Sequence, residues 1–216
     1  MDEEIIKQTQ FYVKQSLEHD STGHDWWHIH RVYNLATYLA KKEKADLFIV
    51  QLAALLHDIA DWKFNQGDDT VGVKLAKQWL EQLNTDKEVI EHVCAIIQHL
   101  PFKGAGVQSS MTTLEGKIVQ DADRLDALGA IGVARTFAYG GYAGIPLYDP
   151  HKEPKLHNSF EEYKKHKGTT INHFYEKLFL LKDRMNTQTA KQLAAERHAF
   201  MENFVAKFLA EWSPNY

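Results

Sequence analysis

The 216-residue chain is poor in cysteine: Cys94 is the single one, which excludes an internal disulfide and a metal site built on several thiolates. A metal would therefore be held by nitrogen and oxygen donors. No uncharged apolar run approaches the roughly 20 residues of a membrane helix, and the acidic start MDEEIIKQTQ lacks the apolar core of a secretory signal. The net charge of -4 comes without the clustered cations that bind nucleic-acid polymers. We expect a cytoplasmic protein with neither membrane nor nucleic-acid polymer as partner.

Helical periodicity is what the sequence does have. Apolar residues recur three and four positions apart, and the two-residue alternation of half-buried strands is nearly absent, which predicts an all-α fold. Three S/T-x-x-E capping boxes, which begin at Thr85, Thr112 and Ser159, predict helices near 86–100, 113–137 and 160–183. A last helix should follow Thr187, with Phe200, Phe204 and Phe208 in a core stripe. The stretches 61–72 and 139–158 resist a helical interpretation, and long loops in compact domains often line a site.

The dipeptide His-Asp occurs three times, at 19–20, 24–25 and 57–58, and the third pair ends a strongly apolar helix. Adjacent helical positions diverge by about 100°, so His57 and Asp58 can reach one ion only if other helices supply further ligands. His28 is one candidate, because it shares a helix face with Arg31; the alternative is a histidine packed in the core. A second source of metal ligands is an apolar helix that carries the carboxylates of Asp121, Asp123 and Asp126. Carboxylates are rarely buried unless they are paired or bind a metal.

The pattern H…HD…D formed by His28, His57, Asp58 and Asp123 resembles that of the HD-domain metal-dependent phosphohydrolases. GHDWWHIHRV, LLHDIADWK, DADRLDALGAIGVARTFAYGG, PLYDP and NHFYEKLFLLKDRMNTQTA extend the resemblance to the small stand-alone bacterial HD-domain nucleotide pyrophosphohydrolases. The resemblance implies an HD-domain helical bundle with a smaller helical and loop extension. It also implies a single domain over 1–216, with a metal-binding core at about 20–137, a loop at 138–158 and C-terminal helices at 159–212.

The resemblance further implies hydrolysis of a (deoxy)nucleoside triphosphate to the monophosphate and pyrophosphate. Its metal ligands would be the four residues of the H…HD…D pattern, with Asp126 supporting them. Two imidazoles and two carboxylates suit manganese, cobalt, iron or nickel better than magnesium, and manganese is the expected ion. Two other functions stay open: a 5'-nucleotidase-like phosphomonoesterase and a noncatalytic sensor that binds a nucleotide or a metal. The expected partner is a small-molecule nucleotide, and a homodimer is allowed.

Four further residues are candidates for catalysis or phosphate binding. Asp61 stands one helical turn after His57, where its carboxylate could orient the attacking water; the alternative is an ion pair with Lys63 at a helix end. Lys63, Arg31 and Arg124 are candidate phosphate clamps, because both arginines lie beside presumed ligands and a guanidinium matches two phosphate oxygens. Arg124 could instead bridge acidic neighbours.

The remaining candidates surround the same pattern. His99 ends a predicted helix seven positions after His92, and we favour a phosphate contact for it over a second metal site shared with His92. His24 is a candidate substrate contact, whereas Asp25 is well placed to cap the helix that starts at Trp26. The nucleoside end of the substrate would be lined by Arg135, Tyr139, Gly140, Gly141 and Tyr142, for which loop packing is an equal alternative.

Overall fold

A computed structural model describes residues 1–17, 25–60, 70–102, 104–157, 159, 161–162 and 168–213. The regular secondary structure in these ranges is helical, none of their residues forms a strand, and the predicted all-α fold is confirmed. No helix in them combines the length and the apolar character needed to cross a membrane. The elements are α1 Asp2–Ser16, α2 Trp26–Glu43, α3 Leu47–Leu56, α4 Val71–Gln82, α5 Lys87–His99, α6 Leu114–Asp126, α7 Gly129–Tyr142, α8 Thr170–His173, a π-helical turn Phe174–Leu178, α9 Phe179–Leu181, a 3-10 turn Lys182–Arg184 and α10 Gln188–Trp212.

The chain divides into two compact units, and the first comprises residues 1–102 and 109–123. Its central element is α3, which packs against α1, α2 and α5, while α4 packs against α5. The sequence of α3, LFIVQLAALL, is apolar almost all round, as a helix enclosed by others must be. Because Leu52 to Leu56 are all fully buried, His57 at the end of α3 is held at a fixed place among the packed helices.

The second unit comprises residues 103–108 and 124–216, and several aromatic side chains of α7 and α10 contact one another in it. Phe204 and Phe208 of α10 lie with ring centroids 5.8 and 6.4 Å from that of Phe137 on α7. The predicted core stripe is wrong for Phe200, which is 47% exposed, and Phe204 and Phe208 are half-buried, whereas Met201 and Val205 are the buried apolar residues of this part of α10. The extent of a single HD-type domain over 1–216 stays a prediction.

The predicted helix over 113–137 is wrong, because the chain leaves the helical path between α6 and α7. Leu128 has an extended backbone and Gly129 a φ of 72°, the left-handed region that glycine enters without steric cost. Carbons of the Arg197 side chain would lie 3.1 and 3.2 Å from a Cβ at Gly129. The break therefore needs a glycine for its backbone angle and for its close contact with a neighbouring side chain.

Two other predicted boundaries were wrong. Residues 168–169 interrupt the predicted helix over 160–183, and a new helix starts after them because the Thr169 hydroxyl accepts from the Asn172 N–H at 3.1 Å. The stretches predicted as loops are shorter than expected, since α4 begins at Val71 and α7 continues to Tyr142. Residues 61–69 lie outside the described part of the chain.

The three predicted capping boxes have different outcomes. The Ser159 hydroxyl accepts from the Glu162 N–H at 3.2 Å, as predicted. At α5 the cap is the Asp86 side chain, which accepts from the Glu88 N–H at 2.8 Å. At α6 the Thr113 hydroxyl accepts from the Gly116 N–H, so both helix starts were predicted with the cap one residue too early.

Asp25 caps α2, as predicted, with its Oδ1 accepting from the His28 N–H at 2.9 Å. We expect Asp25→Ala to lower the free energy of unfolding by about 1 kcal/mol, measured by denaturant unfolding. Asp25→Asn, which keeps a capping oxygen, should lower the free energy of unfolding by only a few tenths of a kcal/mol. Because Asp25 holds the backbone of His28 and not its imidazole, both variants should keep the metal content of the wild type. Equal stability of all three proteins would refute the cap.

Candidate metal centre

Two helices of the first unit bring histidine and aspartate side chains to one place. His28 lies in the first turn of α2, and His57 and Asp58 directly follow α3. These three residues each offer a ligand-type atom, and the three atoms lie within 4.8 Å of one another. They form the one such group of three or more found among the described residues. Three of the four residues predicted from the H…HD…D pattern are thus positioned for a metal site.

Asp123, near the end of α6, adds a second carboxylate to this group. Its Oδ1 lies 3.6 Å from Nε2 of His28 and 3.8 Å from Nε2 of His57. The Asp58 Oδ2 also lies 3.6 Å from Nε2 of His28. These distances exceed those of hydrogen bonds. They fit atoms that bind one ion from different sides, because metal–ligand bonds of about 2.1 Å place neighbouring ligands about 3 to 4 Å apart.

The imidazoles and carboxylates differ in their exposure to solvent. The His28 and His57 side chains are 0% and 2% exposed, whereas those of Asp58 and Asp123 are 16% and 36% exposed. The two rings contact each other edge to face, with centroids 5.3 Å apart. The cluster therefore has a closed side formed by imidazoles and an open side at Asp123, from which water or a small ligand can approach.

A backbone contact fixes which nitrogen of His57 faces the cluster. His57 Nδ1 lies 2.8 Å from the carbonyl oxygen of Ala54, and only a protonated Nδ1 can donate to a carbonyl. The lone pair of neutral His57 is therefore on Nε2, which is buried and has no hydrogen-bond partner among the described residues. A buried imidazole held in this way is typical of a metal ligand. Two imidazole nitrogens and two carboxylates without a thiolate fit a first-row divalent ion.

Other predicted residues of the first unit lie on the same helices. Arg31 is half-buried on α2, one turn after His28. His99 ends α5, and its Nδ1 lies 2.9 Å from the Ser110 hydroxyl. His92 Nε2 lies 3.9 Å from a carboxylate oxygen of Glu115. His92 and His99 do not belong to a group of three metal-type ligands in the described ranges, so a second metal site gains no support.

The candidates of the second unit make contacts within that unit. Arg124, which directly follows Asp123, donates to the backbone carbonyl of Arg184. Arg135 donates to the buried carboxylate of Asp126 at 3.0 Å. Tyr139 is half-buried on α7. Their roles in substrate binding stay predictions, as do those of His24, Asp61 and Lys63, which lie outside the described residues.

The polar residues around His99 were missed by the sequence interpretation. Ser110 contacts its imidazole, and the amide of Gln120 on α6 contacts Ser109 and the end of α5. The one available signal was Gln120 itself, a polar residue in the otherwise apolar run before the aspartates of α6. Serines in a loop carry no pattern that assigns them to a site.

Comparison with known proteins agrees with this geometry. The sequence profile of the HD domain matches residues 26–128. The chain is 42% identical over 202 residues to the uncharacterised protein YpgQ of Bacillus subtilis, a match that covers 92% of this chain and 89% of YpgQ. Both comparisons span the four residues of the H…HD…D pattern.

Solved structures match over nearly the whole chain. A crystal structure from Lactobacillus plantarum has a TM-score of 0.88 at 43% identity and covers 97% of both chains. An HD-superfamily hydrolase from Bacillus thuringiensis has a TM-score of 0.76 at 44% identity over 100% of both chains. The structure of Bacillus subtilis YpgQ in complex with ADP has a TM-score of 0.76 at 38% identity, covering 99% of this chain and 97% of YpgQ.

Proposed function

Because this chain belongs to the HD superfamily of hydrolases, we propose that it is a metal-dependent nucleotide pyrophosphohydrolase. Its substrate would be a nucleoside triphosphate, with deoxynucleotides favoured, and its products the nucleoside monophosphate and pyrophosphate. The observation that carries the proposal is the cluster of His28, His57, Asp58 and Asp123, whose ligand-type atoms converge in the first unit. The donor set suits manganese, cobalt, iron or nickel better than magnesium, and manganese is the ion proposed.

The four side chains would act by holding the ion and by leaving one side of it accessible. A bound divalent ion supplies positive charge to phosphate oxygens and lowers the pKa of water. His57 contributes an imidazole already fixed by Ala54, so it loses little side-chain entropy when it binds. The more exposed Asp123 lies on the side from which a phosphate chain would enter.

Nucleotides are the proposed substrates for two reasons. The relative YpgQ, whose structure covers nearly the whole of this chain, has been crystallised with ADP. Two groups of the first unit also suit phosphate: the Arg31 guanidinium, one turn from His28 on α2, and the His99 imidazole at the end of α5. A guanidinium donates to two phosphate oxygens at once, and an imidazole donates to one.

The roles proposed for Asp61 and Lys63 rest on the positions of these residues in the sequence. Asp61 follows His57 by four residues in the sequence, the spacing of one helical turn. Its carboxylate would orient the attacking water and accept its proton. Lys63 would neutralise charge that grows on the phosphoryl oxygens in the transition state.

Hydrolysis of dATP in water enriched with oxygen-18 tests the proposed reaction. If water attacks the α-phosphorus, we expect the label in the nucleoside monophosphate and none in pyrophosphate, measured by mass spectrometry of both products. Labelled orthophosphate released from dAMP, with no turnover of dATP, would instead identify a phosphomonoesterase. No turnover of any phosphate ester with manganese, cobalt or magnesium would identify a noncatalytic sensor.

A further inference from the structure

A hydrogen-bond network surrounds His99 at the junction of α5 with the chain that leads into α6. The Ser110 hydroxyl lies 2.9 Å from His99 Nδ1. The neighbouring Ser109 hydroxyl donates to the Gln120 side-chain oxygen at 3.1 Å and accepts from the Met111 N–H at 3.2 Å. Ser110 is therefore carried by a stretch of chain that is itself tied to α6.

Gln120 joins this stretch to the end of α5. Its amide nitrogen donates to the carbonyl oxygens of His99 and Leu100 at 3.5 and 3.4 Å, which α5 leaves without helical partners. Gln120 is 1% exposed, so its amide depends on these protein contacts and not on water. One buried side chain thus fixes both the backbone of His99 and the loop that presents Ser110 to its ring.

The same helix links this network to the candidate metal centre. Gln120 precedes Asp123 by three positions on α6, and residues three apart are neighbours on one helix face. The end of α5 and the metal-type ligands therefore lie along adjoining parts of α6. His99 thus stands at the end of a helix that contacts α6, the helix that carries Asp123.

The hydroxyl of Ser110 can control the position of the His99 proton. If Ser110 donates to Nδ1, the neutral ring carries its proton on Nε2; if the ring is doubly protonated, Nδ1 donates to Ser110 and Nε2 is again protonated. A phosphate oxygen only accepts hydrogen bonds, so an anion at Nε2 favours these two arrangements. Because a hydroxyl both donates and accepts, Ser110 satisfies Nδ1 in either of them.

We propose that Ser110 is a positioning residue that holds His99 with a proton on Nε2, directed to an oxygen of the substrate's phosphate chain. This inference rests on the proposed function for the identity of the substrate. Gln120 anchors the two segments that bring the residues together. The side-chain hydroxyl of Ser110, rather than its backbone, carries the effect.

Ser110→Ala tests the proposal, with inorganic pyrophosphate as the probe and magnesium as a diamagnetic metal. We expect pyrophosphate to bind about threefold to tenfold more weakly to this variant than to the wild type, the size of one lost hydrogen bond. Nitrogen-15 NMR of the His99 ring, assigned with His99→Gln, should show a loss of the protonated Nε2 form in the alanine variant. Ser110→Thr, which keeps the hydroxyl, should restore both the pyrophosphate affinity and the protonated Nε2 form of His99.

Ser16→Ala is the matched control, because the Ser16 hydroxyl donates to the Tyr12 carbonyl within α1 and touches no residue of the network. Unchanged His99 nitrogen shifts in Ser110→Ala would overturn the proposal, and so would equal pyrophosphate affinity of Ser110→Ala and the wild type. Neither readout depends on turnover. A protein that binds pyrophosphate as predicted but hydrolyses no nucleotide would refute the proposed function and leave the role of Ser110 intact.

Discussion

His57→Ala is expected to abolish stoichiometric metal binding and to lower kcat by at least about a thousandfold. The substitution removes a nitrogen donor that the Ala54 carbonyl orients and that has no hydrogen-bond partner among the described residues. The loss of metal then removes the positive charge on which hydrolysis would depend.

The fold should survive this change, because the core of the first unit does not depend on the imidazole. Leu52, Leu55 and Leu56 of α3 are fully buried without it, so the circular dichroism of the variant should stay that of a helical protein. His30→Ala is the matched control: His30 lies two positions from His28 on α2 and contacts Asn34. Metal analysis that finds one equivalent of metal in both variants would refute the site.

The second prediction distinguishes the roles of two aspartates that lie three positions apart on α6. Asp123→Ala should lose the metal and the activity while keeping the stability of the wild type, because its half-exposed carboxylate lies close to both imidazoles. Asp126→Ala should keep the metal and lose about 3 kcal/mol of stability, measured by denaturant unfolding. A crystal structure with Asp126 bound to the ion and Asp123 remote from it would overturn this assignment.

The expected loss of stability in Asp126→Ala follows from the guanidinium groups around the Asp126 carboxylate. Its carboxylate, 4% exposed, accepts from Arg135 at 3.0 Å, and truncation leaves a largely buried cation without that partner. Burial lowers the pKa of Arg197, and the Asp126 carboxylate opposes that shift, so a second guanidinium also loses a compensating charge. Asp126→Asn keeps the volume and some hydrogen bonding, so it should lose less stability than alanine.

The metal-type residues could be predicted from the sequence because their chemistry leaves a pattern. A His-Asp pair at the end of an apolar helix, a histidine one turn before an arginine and an aspartate in an apolar helix are each unusual in a core. Together they matched H…HD…D, and the structure brings their ligand atoms together. The helical fold class was predictable for a similar reason, since apolar spacing is repeated along most of the chain.

Other features depend on contacts that no pattern in the sequence encodes. The orientation of His57 is set by the Ala54 carbonyl, and that of His99 by a serine 11 positions away. The break at Gly129 was missed because apolar periodicity continues through it, although its glycine is the residue that permits the turn. Helix starts at Asp86 and Thr113 show that two adjacent capping residues compete and that packing selects between them.

The central claim is that the four-residue cluster holds a divalent ion required for release of pyrophosphate from a nucleoside triphosphate. The most direct test is product analysis of the wild-type protein with dATP, after removal of metal by a chelator and after addition of one equivalent of manganese. We predict no product from the stripped protein, and dAMP and pyrophosphate in equal amounts after manganese is restored. Pyrophosphate release that is the same with and without metal would contradict the account.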